Sequence, residues 1–354
     1  MRKYILGEPF FGATLAKKYY APVGQQAALC AEVLGEEPER IHGISMRSQR
    51  QWVEENFRLE YLAILHCLTR RMGQQMHVAC AHLDELDNQV VMLAKELGCR
   101  LVGYPRETPA CCTLFPRDYG TVLPDGTLLL NPSHTQELRG EAATGGRIRL
   151  AHIGEGGRLL QAGKFAVFSE RQTGNGRNWR VTQEEVALIT AGGLIPVMLP
   201  NMRSTEVGPD RVLPDTYSGD HVDRFCNLIT GRDCREHLII DPTVDLTVYI
   251  ENGPRTLLQG SDGLNAVKRA CEPYGIVVHQ APAMEIPYSL NFQQFEDRRI
   301  IMTGGEPKLQ ALLETLVGKG QVYPTEIPIR YYPAYRFGGI RCMIGDLPEA
   351  IFKR

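Results

Sequence analysis

The stretch TQEEVALITAGGLIPVML, from Thr182 to Leu199, holds a helix, its stop and a strand in one short run. Thr182-x-x-Glu185 is a capping-box signature, in which hydroxyl and carboxylate each satisfy a backbone N–H left open by the first turn. Val186, Ala187, Leu188 and Ile189 continue the helix, Gly192-Gly193 stop it, and Leu194–Leu199 reads as a strand. The same grammar recurs outward from this point. Pro307 to Val317 reads as an amphipathic helix closed by Gly318, preceded by the strand Arg299–Met302 and followed by extended chain from Gln321 to Ile329. Asp84 to Leu97 is a third helix, closed by Gly98 and leading into the strand Arg100–Val102. Arg147–Ile153, Leu159–Gln161 and Phe165–Phe168 read as strands, the last two joined as a hairpin through Ala162-Gly163. Such alternation predicts an α/β fold. No Ser/Pro-rich or charge-dense stretch reads as a linker, so one domain is expected over residues 1–354. Residues 1–80 carry a helix over Glu54–Met72 and no interpretable motif; they read as part of this domain or as its N-terminal elaboration.

The 354 residues are 43% hydrophobic and 23% charged, enough to bury a large core. Lys plus Arg number 39 against 41 Asp plus Glu, a formal charge of -2, with no block of like charge to attract nucleic acid or anionic lipid. A small-molecule partner is therefore expected, and a homo-oligomer is compatible with the sequence. The apolar run after Met1-Arg2-Lys3 is broken by Gly7, Glu8 and Pro9, too soon for a signal peptide, and no run of apolar residues is long enough to span a membrane. Ten scattered cysteines show no disulfide-framework spacing, which suits a reducing cytoplasm.

Four segments combine turn residues with reactive groups: Pro116-Arg117-Asp118-Tyr119-Gly120, Gly154-Glu155-Gly156-Gly157, Gly219-Asp220-His221-Val222-Asp223, and Gly338-Gly339-Ile340-Arg341-Cys342-Met343. Each alone reads equally well as an ordinary turn with solvated charges. Together they supply a complete chemistry. Cys342 is the candidate nucleophile and His221 its acid–base partner, because a thiolate attacks only after an imidazole has taken or balanced its proton. Glu155 would orient His221 and favour its charged form. Asp118 and Asp223 would bind a planar, cationic guanidinium, which pairs with carboxylates in its plane. Asp220 is the rival to Asp223, but an offset of two from His221 keeps one face of a strand where an offset of one does not. Cys226 is a rival nucleophile and His152 a rival base, the latter expected to fill core. Cys111-Cys112 read as packing residues, and His134 as lying beside a helix cap at Ser133. Cys226 and Cys234 with His221 match no structural zinc spacing, so no metal is expected.

In their order these motifs resemble the penteins, the guanidino-modifying superfamily of arginine deiminases, agmatine deiminases, dimethylargininases and amidinotransferases. The match runs through Arg117-Asp118-Tyr119-Gly120, Glu155-Gly156-Gly157, His221-Val222-Asp223 and Gly338 to Met343, over roughly residues 100 to 345. The resemblance implies a five-fold pseudosymmetric α/β propeller of repeated ββαβ-type units. It also implies attack of Cys342 on the guanidinium carbon, protonation of the departing amine by His221, and a covalent amidino-thioether, with no metal or organic cofactor. Arg341 before the cysteine is similar to the arginine-deiminase pattern. Ser169-Glu170-Arg171-Gln172-Thr173 resembles that family's segment for the substrate carboxylate, so Arg171 and Arg341 join Asp118 and Asp223 as implied substrate-binding residues.

The chain departs from that pattern at Gln172, at Arg158, where an acidic residue is usual, and at Ile344. The leading reading is a hydrolase of arginine or a related guanidino compound. Amidino transfer to an acceptor amine and a non-catalytic binding protein on the same fold are the alternatives.

Overall fold

The computed structural model describes residues 4–7, 46–80, 88–103, 115–132, 147–174, 177–204, 221–241, 244–248, 256–258, 261–286, 288–330 and 338–346. Cys111, Cys112, His134 and Asp220 lie outside them, as does the first part of the helix expected from Asp84. In chain order, strand β1 (Tyr4–Leu6) pairs parallel with β2 (Met76–Cys80) after helix α1 (Met46–His66). Helix α1 starts ahead of the expected Glu54 and runs on as a π-helical turn over Cys67–Arg71. Phe57, Tyr61, Ile64, Leu65 and Leu68 recur at helical spacing and are buried, so this face is what packs the helix down. Helix α2 (Asn88–Glu96) leads into β3 (Arg100–Gly103), parallel to β2.

A short helix α3 (Pro116–Tyr119) opens the next unit, with β4 (Gly120–Val122) antiparallel to β5 (Leu128–Leu130) and β5 parallel to β6 (Ile148–Leu150). The expected strand Arg147–Ile153 thus stops at Leu150. His152–Gly154 instead forms a 3₁₀ turn, which leaves His152 exposed rather than in the core.

Strand β7 (Leu160–Ala162) forms a hairpin with β8 (Phe165–Ser169), and the ribbon β9 (Arg171–Gly174) and β10 (Arg177–Arg180) follows. Helix α4 (Gln183–Ala191) then carries the chain to β11 (Ile195–Leu199), parallel to β8. The capping box is present: Thr182 Oγ1 accepts from the Glu185 N–H at 3.2 Å, and Glu185 Oε2 accepts from the Thr182 N–H at 3.0 Å. The other Glu185 oxygen accepts from the Ile153 N–H at 3.2 Å, which pins the turn before Glu155 to this helix end. Thr182→Ala should therefore lower stability by about 1 kcal/mol, read as a lower urea midpoint at unchanged m-value.

Beyond β12 (Asn201–Ser204), β13 (Cys226–Thr230) is antiparallel to β14 (Glu236–Ile240). An excursion of β15 (Val244–Val248) and β16 (Thr256–Leu258), and helix α5 (Ser261–Cys271), precede β17 (Val277–Gln280), parallel to β14. Strands β18 (Gln293–Gln294) and β19 (Ile300–Met302) pair antiparallel, and β19 pairs parallel with β20 (Val322–Pro324) after helix α6 (Pro307–Val317). In α6, proline suits the first turn, where its missing N–H has no partner to lose. Leu309, Leu313, Leu316 and Val317 form the stripe that packs on Ile300, Met302 and Val322. The last elements, α7 (Ile340–Met343) and β21 (Ile344–Gly345), return to the first, because β21 pairs antiparallel with β1 and the Gly7 N–H donates to the Met343 carbonyl at 2.9 Å.

The fold is α/β. Among the described residues one pattern, an antiparallel pair extended by a parallel strand, appears in the sheets of β21-β1-β2, β4-β5-β6, β7-β8-β11, β13-β14-β17 and β18-β19-β20. No described helix is long and apolar enough to cross a membrane.

Candidate active site

Cys342 sits in α7, directly after Gly338-Gly339. Gly338 has φ +81°, a left-handed conformation that glycine adopts without strain, and a Cβ there would lie 2.7 Å from Cys342 Sγ. The turn is then fixed from two sides. Asn291 takes the Arg341 N–H on its carbonyl at 2.8 Å and the Cys342 N–H on its Oδ1 at 3.1 Å. Arg117 Nε donates to the carbonyls of Arg341 at 3.0 Å and Ile344 at 3.1 Å, and its Nη2 donates to Gln293 Oε1 at 2.7 Å. Burial and the neighbouring Arg341 pull Arg117 down to about 10, still charged at neutral pH. Asp118, the next residue in α3, is thereby held beside the cysteine.

Glu155 and its two glycines form the second wall. The Gly156 N–H donates to the Arg117 carbonyl at 2.9 Å, and a Cβ on Gly156 would strike the Arg117 side chain. A Cβ on Gly157 would fall on the His221 ring, so glycine is what lets the imidazole lie against this backbone. His221 Nε2 is 2.7 Å from Glu155 Oε1, which turns Nδ1 toward Asp223, 3.7 Å from its Oδ1. His221 precedes a 3₁₀ turn, Val222–Arg224, and not a strand. Asp223 and His221 share the site because the turn folds back, with the Asp223 N–H donating to the Gly157 carbonyl at 3.2 Å.

Asp118, His221 and Cys342 each place a ligating atom within 4.8 Å of the others'. Among the described residues this is the one such grouping, and by donor type it could hold a thiophilic cation. Asp223 Oδ2 lies 3.6 Å from Cys342 Sγ and accepts from Arg341 Nη1 at 2.7 Å. Asp118 Oδ1 and Asp223 Oδ1 are buried with no hydrogen-bond partner among the described residues. Two such carboxylate oxygens are costly unless a cation with N–H donors meets them.

The electrostatics follow from this crowding. Burial, with the carboxylates of Asp223 and Asp118, pushes the Cys342 thiol well above its usual range, against the pull of Arg341 and Asn291. Burial also opposes charge on His221, but Asp118, Glu155 and Asp223 outweigh it and raise the imidazole to about 9. Asp118 is raised, first by burial; His221 draws it back, while Glu155 and Asp223 push it further.

The fold is similar to that of an agmatine deiminase. The C. jejuni enzyme superposes with a TM-score of 0.54 at 10% identity, over 97% of this chain and 92% of that one. A cysteine-to-serine variant of agmatine deiminase from the same organism, with substrate bound, gives 0.49 at 12% identity, over 80% and 86% of the two chains. Agmatine deiminases belong to the pentein superfamily that the motifs resemble. No family model and no curated protein sequence matches the chain.

Of the residues named from sequence, Asp118, Glu155, His221, Asp223 and Cys342 stand in this one knot. Arg341 stands behind it, buried, with its guanidinium on Asp223 and on the carbonyls of Gly156 at 3.1 Å and Leu159 at 3.2 Å. Arg171 is on β9, half-buried and opposite Arg180 in the ribbon. Cys226 is wholly buried, with Sγ on the Val222 carbonyl at 3.6 Å, while Cys234 is exposed beside Arg298 Nη2 at 3.3 Å. Arg117 and Asn291 also hold the site; the sequence marks Arg117 only through its motif, and Asn291 only as a polar residue between Leu290 and Phe292.

Proposed function

We propose that this protein is a guanidino-group hydrolase that converts arginine or a related guanidino compound into a ureido product and ammonia through a covalent intermediate on Cys342. The observation that carries the reading is the pair of buried carboxylates of Asp118 and Asp223, each with an oxygen that lacks a hydrogen-bond partner, set beside a thiol and an imidazole. A guanidinium is the right cation for that pair, planar, with N–H donors in a fork that suits two carboxylates. Its charge offsets the carboxylates that hold the thiol up, so substrate itself favours the thiolate.

The thiol proton leaves to solvent, the sulfur bonds to the guanidinium carbon, and the π-pair of one C–N bond moves onto nitrogen. The C–N bond to one amino group breaks as His221 passes it a proton, and ammonia leaves. The neutral imidazole next takes a proton from water, whose oxygen attacks the amidino-thioether carbon; the C–S bond breaks and the ureido product departs. We read Arg171 and Arg341 as substrate-binding arginines, the second acting through Asp223, and the five similar sheets as the units of one propeller domain acting on a cytoplasmic small molecule.

The test is incubation with a panel of guanidino compounds, scoring ammonia and ureido product and trapping the Cys342 adduct by mass spectrometry. A new guanidino product appearing only with added glycine or another amine would instead show amidino transfer. No turnover and no adduct with any compound would leave the binding-protein alternative. The acid must be protonated to serve, and His221 is held at about 9. Turnover should therefore persist through neutral pH and fall as the pH rises through about 9.

A further inference from the structure

Among the described residues, Glu155 Oε1 and Oε2 each meet a cation. Oε1 meets His221 Nε2 at 2.7 Å, while Oε2 meets Arg158 Nη2 at 3.0 Å and accepts from Asn131 Nδ2 at 2.9 Å. Arg158 is itself fixed, its Nη1 donating to the His152 carbonyl at 3.0 Å and its N–H to the Glu155 carbonyl at 2.9 Å. The side chains of Arg158 and Glu155 are only 7% and 12% exposed, so solvent screens this pair weakly.

From this geometry we infer that Arg158 is a positioning residue for the acid–base step, a standing counter-ion that keeps Glu155 ionised and aimed at His221 while the imidazole loses and regains its proton. The inference rests on the hydrolase reading above. When His221 gives its proton to the departing ammonia it becomes neutral, and Glu155 loses one of its two cations. A buried carboxylate without a cation gains proton affinity and would compete for the proton that the imidazole must recover from water. Arg158 supplies its positive charge in both states.

The other groups facing His221 are Asp118 from α3, Asp223 from the following turn and the Cys342 thiol from α7; Arg341 sits behind Asp223, and Arg224 acts on Asp118. All three carboxylates pull proton affinity upward. Arg158 opposes them.

The experiment compares Arg158→Met and Arg158→Lys in the full chain by NMR titration of the His221 ring, kcat and its pH profile, and mass spectrometry of Cys342 during turnover. For Arg158→Met the ring midpoint and the alkaline limb of the rate should move up by roughly one pH unit. Its kcat should fall roughly tenfold, with less amidino-thioether present during turnover, because a more basic imidazole yields its proton to the departing ammonia less readily. Arg158→Lys keeps the charge and should restore the midpoint. Arg158→Gln carries the same expectation as Arg158→Met if that variant fails to fold. A ring midpoint that stays put in the uncharged variant, or equal losses in the lysine and uncharged variants, would overturn the assignment. Wild-type protein inert toward every guanidino compound, with the midpoint still moving, would remove the hydrolase reading and the catalytic role but leave the charge coupling standing.

Discussion

Cys342→Ser should reduce turnover of every guanidino substrate by about 10⁴-fold or more while leaving the urea unfolding midpoint close to that of the wild type. The two halves of this result have separate causes. The α7 turn is held by backbone groups, the Cys342 N–H on Asn291 and the carbonyls of Arg341 and Ile344 on Arg117, none of which involves the sulfur. Serine fits the same volume, so the fold has little to lose. Chemically the exchange is severe, since a hydroxyl is far harder to ionise than a thiol and the buried carboxylates that raise the thiol act on an alkoxide at least as strongly. Cys226→Ser is the control. Its sulfur lies in a separate apolar cluster against the Val222 carbonyl, and its rate should stay within about threefold of wild type. Wild-type turnover by the Cys342 variant, or a comparable loss in the Cys226 variant, would remove Cys342 as nucleophile.

The elements whose signals are local were legible. Helix α6 spans Pro307–Val317 as the sequence predicts, and α4 begins at the expected capping box, because caps, stripes and stops lie within a few residues of one another. Elsewhere a local reading met a non-local cause. Arg147–Ile153 reads as one strand, but Gly154, where a Cβ would run into the backbone of Leu129 and Leu130, belongs to a close approach that ends it. The offset of two between His221 and Asp223 fits one face of a strand, whereas a 3₁₀ turn brings them together. The site has the same division. Cysteine, histidine and acids stand out by residue type in short motifs. Asn291 and Arg117 act on chain far away in sequence, through backbone groups that any residue would offer, and so leave no pattern to read. Arg158 was visible only as a misfit, and its meaning required seeing Asn131 and His221 on the same carboxylate.

Asp223 and Arg341 separate binding from folding. Asp223 has no exposed surface, and Arg341 is 5% exposed, with Nη1 2.7 Å from Asp223 Oδ2. Arg341→Met strands a buried carboxylate next to Asp118, and Asp223→Asn strands a buried guanidinium beside Arg117. Each should lower stability by about 3–5 kcal/mol, measured by urea unfolding, and each should be inactive. Arg341→Lys should not rescue the first, because one ammonium cannot replace the planar fork that also reaches the carbonyls of Gly156 and Leu159. The double variant Asp223→Asn/Arg341→Met removes both charges together. It should be more stable than the sum of the single losses allows, with a coupling of about 2 kcal/mol or more. Yet it should remain inactive, because the Asp223 carboxylate, proposed to meet the guanidinium, is gone as an anion. Recovered activity in the double variant would mean that Asp223 serves only to neutralise Arg341, and that Asp118 alone meets the guanidinium. Additive stability losses would mean that the ion pair is not what joins the cysteine turn to the histidine turn.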